Sequence, residues 1–169
     1  FVPLNISTPW LEPPSLDGAV VAARLWYQVV LAAPVLGAAL LRRTKLVERM
    51  ITTGAAHPEA WGHGEAAVFA DVLRQPMRAA ASTRLYRTFL TREIRPLLSG
   101  AFDDRRLTVP TRMLFGTRDV AIDHRHLGAW PEHADDMTVE LRDDAGHFIP
   151  EELPEFVAER ALALFDGTD

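Results

Sequence analysis

Cysteine is absent from the 169 residues, which excludes a disulfide framework, a thiolate metal site and a cysteine nucleophile. Such a composition fits a reducing compartment, and the expected location is the cytoplasm. Positive charge is scarce as well: 18 Lys and Arg against 23 Asp and Glu leave a formal net charge of −5. The basic residues are dispersed, so nothing resembles a footprint for nucleic acid. The longest apolar stretch, residues 20–41, is broken by Arg24, Gln28, Pro34 and Gly37, which argues against a membrane span. Neither a Met nor a basic n-region stands at the start, so no cleavable signal is recognisable. His124 and His126 beside Asp123 lack further ligands at convincing spacing, and no metal site is expected. There is no internal repeat and no low-complexity tract. The proportions, 48% hydrophobic and 24% charged, are ordinary globular usage.

Three short segments read as strands. Residues 109–115 are largely apolar and bounded by Pro and Gly, the pattern of a buried parallel strand. Met137, Val139 and Leu141 alternate as a second strand. Between them, residues 123–130 offer a crossover helix closed by Pro131, so the unit is βαβ and its strands run parallel. Residues 1–6 read as a strand already under way, pairing with 109–115 and leaving through the Pro-rich loop 7–14. Such a set is too small for a doubly wound sheet, whose central strands need neighbours and helices on both faces. That shortage and the absent initiator Met predict that an N-terminal portion of the fold, with further strands, lies outside this sequence.

The residues that suit chemistry follow the carboxyl ends of two of these strands, the edge where α/β sheets bind ligands. His147 stands in Asp143-Asp144-Ala145-Gly146-His147-Phe148 and Asp119 in Gly116-Thr117-Arg118-Asp119. Neighbouring strands lie about 5 Å apart, so the Asp119 carboxylate is expected to accept the imidazole N–H of His147. That bond would fix the tautomer and stabilise the imidazolium formed on proton abstraction. Alone, an Asp after Gly is more commonly a turn residue; order and topology together make the pair an acid–base candidate. His57 and His63, flanking Trp61, read as loop polars. Glu151 and Glu152 read as first-turn acids that complement the last helix's dipole, and Leu153, Phe156, Val157, Ala161 and Leu164 as its core stripe. Trp10, at the exit of the first strand, is a candidate to line a substrate pocket, with plain packing as the alternative.

A helical block richer in Ala, Leu and Arg separates the first strand from the second. Asp17 is a cap for a helix over 19–33; Pro34 breaks it, and a second helix covers 35–52. Gly54, Pro58, Gly62 and Gly64 mark a loop, a third helix covers 65–73 and a fourth 77–90, with Pro96 and Gly100 on the return. The chain thus divides into a core strand and exit loop (1–14), a helical lid (15–100) and the C-terminal part of the core (101–169). Lids exclude water and orient substrate. The alternatives for the block are a helical decoration or a homodimer surface.

The run Gly146-His147-Phe148, then Glu, then Pro154-Glu155, resembles the C-terminal signature of α/β-hydrolases with a lid, epoxide hydrolases especially. Tyr27-Gln28 leading to Pro34, and the pair Tyr86-Arg87, are similar to that family's two lid-tyrosine positions; these are the only two tyrosines present. The resemblance spans nearly the whole chain. It implies an α/β fold, the C-terminal portion of an α/β-hydrolase fold with parallel strands and an inserted all-helical lid. It further implies Asp119 and His147 as acid and base, Tyr27 and Tyr86 as phenols holding the epoxide oxygen, and hydrolysis of a small apolar epoxide to a vicinal diol through a covalent ester, with no cofactor. Two O–H donors suit that reaction because ring opening places negative charge on oxygen. For either tyrosine alone, a half-buried amphipathic role is the alternative. The sequence departs from the family at the nucleophile: it holds no Gly-x-Asp-x-Gly or Gly-x-Ser-x-Gly elbow and no His-Gly segment resembling the oxyanion loop. The nucleophile is therefore expected on the N-terminal portion, and the isolated chain is expected to be inert. Two other readings stay open: another lidded hydrolase, such as a haloalkane dehalogenase or esterase, and a non-catalytic member that binds a small apolar ligand.

Overall fold

A computed structural model of the chain describes residues 1–10, 26–62 and 64–167. Helices cover 26–32 (α1), Pro34–Arg43 (α2), Leu46–Gly54 (α3), Glu65–Arg74 (α4), Pro76–Thr88 (α5) and Ile94–Leu98 (α6). Then follow β1 (Thr111–Gly116), α7 (Trp130–His133), β2 (Met137–Arg142), α8 (Ile149–Glu152) and α9 (Pro154–Asp166). Asp17, the first part of the helix expected over 19–33, the exit loop beyond Trp10, and His63 lie outside the described residues.

β1 and β2 pair in parallel, Thr111 opposite Met137 and Gly116 opposite Arg142. Side chains alternate across β1 and enter two different cores. Met113 and Phe115 pack with Leu127 and Met137 on one face, while Leu114 packs with Ala145 and Ile149 on the other. The N-terminal segment runs along the other edge of β1. Leu4 forms a parallel bridge with Leu114, and the N–H groups of Arg112 and Leu114 donate to the carbonyls of Phe1 and Pro3 at 3.0 and 3.1 Å. The pairing expected for residues 1–6 is present but thin. Pro3 has no N–H to return to β1, so the ladder is interrupted one step before Leu4.

Proline and glycine also account for the departures from expectation in the core. β1 begins at Thr111 instead of Val109, after Pro110, and Val109 is 48% exposed. The crossover helix expected over 123–130 is a single 3-10 turn, His124–His126, followed by Gly128 at φ 77°. Pro131 opens the short α7 and does not close the crossover. Pro154 divides the expected last helix into α8 and α9; Leu153, Phe156 and Val157 pack against the Leu114 core, and Arg160 of α9 holds Glu140 of β2 at 2.7 and 3.1 Å.

In the helical block, Leu31, Leu41, Val47, Ile51 and Trp61 form a buried cluster. The helix expected over 35–52 is two helices, because the Thr44 hydroxyl donates to the Leu40 carbonyl at 2.7 Å and accepts the Leu46 N–H at 3.1 Å. Such local bonds compete with a continuous helix. The helix expected over 77–90 ends at Thr88 and widens into a π turn, Phe89–Glu93, before α6, which contains Pro96. Widening ahead of a proline accommodates the missing N–H. Among the described residues no helix is long and apolar enough to cross a membrane.

The carboxyl end of β1 meets the loop after β2 at backbone contact. A Cβ on Gly116 would strike the Gly146 carbonyl oxygen and stand 2.5 Å from that of Ala145. Backbone cannot swing aside as a side chain can, so Gly116→Ala is expected to destabilise the protein by roughly 1–3 kcal/mol, the range for overpacking. Urea unfolding with an unchanged m-value checks this; a midpoint equal to wild type would show that the loop relaxes freely.

Candidate active site

Asp119 follows the tight turn after β1, its N–H bonded to the Gly116 carbonyl at 3.2 Å. Its side chain is wholly buried, and both oxygens are taken. Oδ1 accepts the N–H groups of Ala121 and Ile122 at 2.7 and 2.9 Å. Oδ2 accepts Nδ1–H of His147 and the Asn5 side-chain amide, each at 2.8 Å. Burial pushes the Asp119 carboxyl upward, but the hydrogen bonds from His147 and Asn5, the His147 charge and the Ile122 N–H outweigh it, and the group lies below its ordinary value. Because a carboxylate can only accept, Nδ1 of His147 carries the proton. In the neutral ring Nε2 is then the free base. The His147 side chain remains 33% exposed, which suits a group that must meet substrate or water.

Asn5 was not legible as a site residue. Its backbone is left-handed, φ 42°, a conformation Asn tolerates better than most residues. There its side chain reaches β1 as well as Asp119, with Oδ1 accepting the Gly116 N–H at 3.0 Å. One amide thus fixes both the strand end and the acid. Glu152 lies in a first turn, that of α8, as expected, but it is buried, and its carboxylate also accepts backbone N–H groups of two loops. His57 likewise is more than a loop polar. Its ring bonds Glu59 at 3.1 Å and the Asp144 carbonyl at 2.7 Å, and those two bonds, Glu59 first, hold its pKa above the ordinary value.

Tyr27 on α1 and Tyr86 on α5 meet edge to face, ring centroids 6.0 Å apart. Both pack against the buried cluster of the block, as does Phe148, the residue after His147, whose ring lies 5.2 Å from that of Trp61. Burial, with a smaller effect from Tyr27, raises the Tyr86 phenol, so it stays a protonated donor. Trp10, the candidate pocket-lining residue, is buried. Its indole stacks on His133 at 5.0 Å and donates to the Phe102 carbonyl at 2.9 Å. Cavity size does not mark the site either. A groove of about 690 Å³ is lined by Trp26, Leu40, Leu46 and Arg49 among others, and one of about 280 Å³ by His124, Trp130 and Leu141 among others; neither includes Asp119, His147, Tyr27 or Tyr86.

The depressed Asp119 pKa fixes the sign of an acid effect. Unfolded, the carboxyl binds its proton near 3.8; folded, only at lower pH. Its contribution is therefore complete above 3.8 and is lost as pH falls through the folded value. Asp119→Asn should flatten the acid limb of urea midpoints measured down to about pH 2. Asn5→Gly, which accepts the left-handed backbone, should cost about 1.5–3 kcal/mol for bonds to a charged group. A cost near zero would sever Asn5 from the site.

No family model and no curated protein matches the sequence. Solved structures do. The chain is similar to the epoxide hydrolase CorEH without ligand, at TM-score 0.76 and 20% identity over 99% of this chain and 59% of that one. It is similar to a candidate acyltransferase from Salmonella enterica, at TM-score 0.73 and 20% identity over 90% and 51%. A candidate α/β hydrolase from Nostoc matches at TM-score 0.65 and 20% identity over 97% and 56%. The chain spans 51–59% of these structures' lengths. Likeness at such identity speaks of backbone, not of reaction. With its parallel strands, flanking helices and inserted helical block, the chain carries a portion of the α/β-hydrolase fold.

Proposed function

We propose that this chain supplies the base, its acid partner and the oxygen-holding phenols of an epoxide hydrolase, with a carboxylate nucleophile on a part of the fold outside these residues. The observation that carries this reading is the Asp119–His147 bond at 2.8 Å, with Phe148, next to His147, packed against the same buried cluster as the Tyr27–Tyr86 pair. In this reading the helical block, residues 15–100, acts as the lid over a core made of 1–14 and 101–169.

In the first step the nucleophile attacks an epoxide carbon and the carbon–oxygen bond breaks. The phenols donate to the developing alkoxide, and one gives up its proton, leaving an ester and a free hydroxyl. In the second step Nε2 of His147 takes a proton from water, whose oxygen attacks the ester carbonyl; the diol leaves and the carboxylate is regenerated. The Asp119 carboxylate stabilises the imidazolium meanwhile, and the imidazolium proton goes back to the tyrosinate. The backbone shared with CorEH is compatible with this reading, and the backbone shared with the candidate acyltransferase is compatible with a second one, acyl transfer from a serine, which the same Asp119–His147 pair would serve.

Single-turnover kinetics on the protein that carries this chain, with an epoxide substrate, separate the two steps. Tyr27→Phe and Tyr86→Phe should each slow ester formation about a hundredfold, roughly 3 kcal/mol for one lost oxyanion donor, and the double variant more. His147→Gln should leave ester formation largely intact and block its hydrolysis. Wild-type opening rates in both tyrosine variants would reduce the phenols to packing, whereas no epoxide opening by the wild type would remove epoxides as the substrate class.

A further inference from the structure

Glu152 makes more bonds than a helix-end carboxylate requires. Its Oε2 accepts the N–H groups of Ala56, His57 and Gly146 at 2.9, 3.1 and 3.0 Å, and its Oε1 accepts that of Phe148 at 3.3 Å. Two of these donors flank His147. The other two follow α3 in the helical block. Between them the His147 N–H donates to the Gly54 carbonyl at 3.1 Å. The two loops touch so closely that a Cβ on Gly146 would lie 2.6 Å from the Ala56 nitrogen and 2.8 Å from the Gly54 oxygen. Glu152 is only 9% exposed, and the N–H groups converge on it as a nest converges on an anion. Without the carboxylate they would be left unpaired in a closed joint.

Resting on His147 as the base, we propose that Glu152 is a positioning residue that clips the His147 loop to the helical block. Tyr27 and Tyr86 sit on that block and Asp119 on the sheet, so the clip fixes the base relative to both. Glu152 does not touch the reacting atoms. It acts through the backbone on either side of the imidazole, and through the loop that anchors the block.

Glu152→Gln in the protein that carries this chain tests the clip, because the amide keeps the shape and replaces an acceptor with a donor. With circular dichroism unchanged at 25 °C, amide exchange at Ala56, His57, Gly146 and Phe148 should quicken together by at least about tenfold. The downfield Nδ1 proton of His147 should broaden or vanish, and ester hydrolysis should slow more than ester formation. A general loss of stability would lower the melting temperature but leave the Nδ1 signal of the folded protein intact; that result, or unchanged exchange, overturns the proposal. If the variant does not fold, native-state exchange of the wild type decides: the four amides opening as one unit supports the clip, and Ala56 and His57 exchanging independently of Gly146 and Phe148 overturns it. Failure of the wild type to turn over any epoxide would count against the epoxide reading alone, since the exchange and imidazole measurements do not depend on substrate.

Discussion

A carboxylate without solvent contact must find its hydrogen bonds inside the protein, and at Asp119 that requirement organises the carboxyl edge of the sheet. Its donors come from three places: its own turn at Ala121 and Ile122, the N-terminal segment through Asn5, and the loop after β2 through His147. Asn5 lies 114 positions away in sequence. Each donor dictates how its segment ends. The N-terminal segment turns into a left-handed residue at Asn5, β1 stops at Gly116 where the other loop presses on it, and the loop after β2 brings the imidazole to Oδ2. Loss of a donor from any one segment would leave a buried carboxylate oxygen short of a partner, at about 1.5–3 kcal/mol for a bond to a charged group.

The parts of this arrangement that were legible in sequence share a physical property: they are local. β1 and β2 announce themselves by short apolar or alternating runs, and the Asp119 and His147 loops by their place directly after those runs. Parallel pairing then puts both loops on one edge without further information. Asn5 and Glu152 were missed because their roles depend on partners far along the chain. Nothing in Asn5-Ile6-Ser7 reports that a bulge in the path will meet Gly116, and Glu-Glu before Leu-Pro reads as a helix end whichever way the second carboxylate points. Trp10 shows the same limit from the other side: its position after a strand says nothing of His133 and Phe102, on which the indole stacks and to which it donates. The crossover helix was lost to a single left-handed glycine, Gly128, which periodicity cannot weigh.

Main-chain N–H groups, joined at Asp119 by His147 and Asn5, balance the two buried carboxylates at this edge without lysine or arginine. Asp119 takes two main-chain N–H groups and two side-chain donors, and Glu152 takes four main-chain N–H groups. Lysine and arginine appear in none of these bonds; they pair at the surface, as Arg160 with Glu140 and Arg142 with Asp144, where such pairs contribute little and salt screens them. Main-chain donors have no rotamers to freeze and no ammonium to desolvate, so they hold an anion at small entropic cost. The consequence reaches the imidazole. Its ring is set by Asp119 on one side and its backbone by the joint with Gly54–His57 on the other, so neither the strand edge nor the helical block can shift without carrying the imidazole along. Any displacement of the block would therefore be felt at His147 through the same N–H groups that hold it at rest.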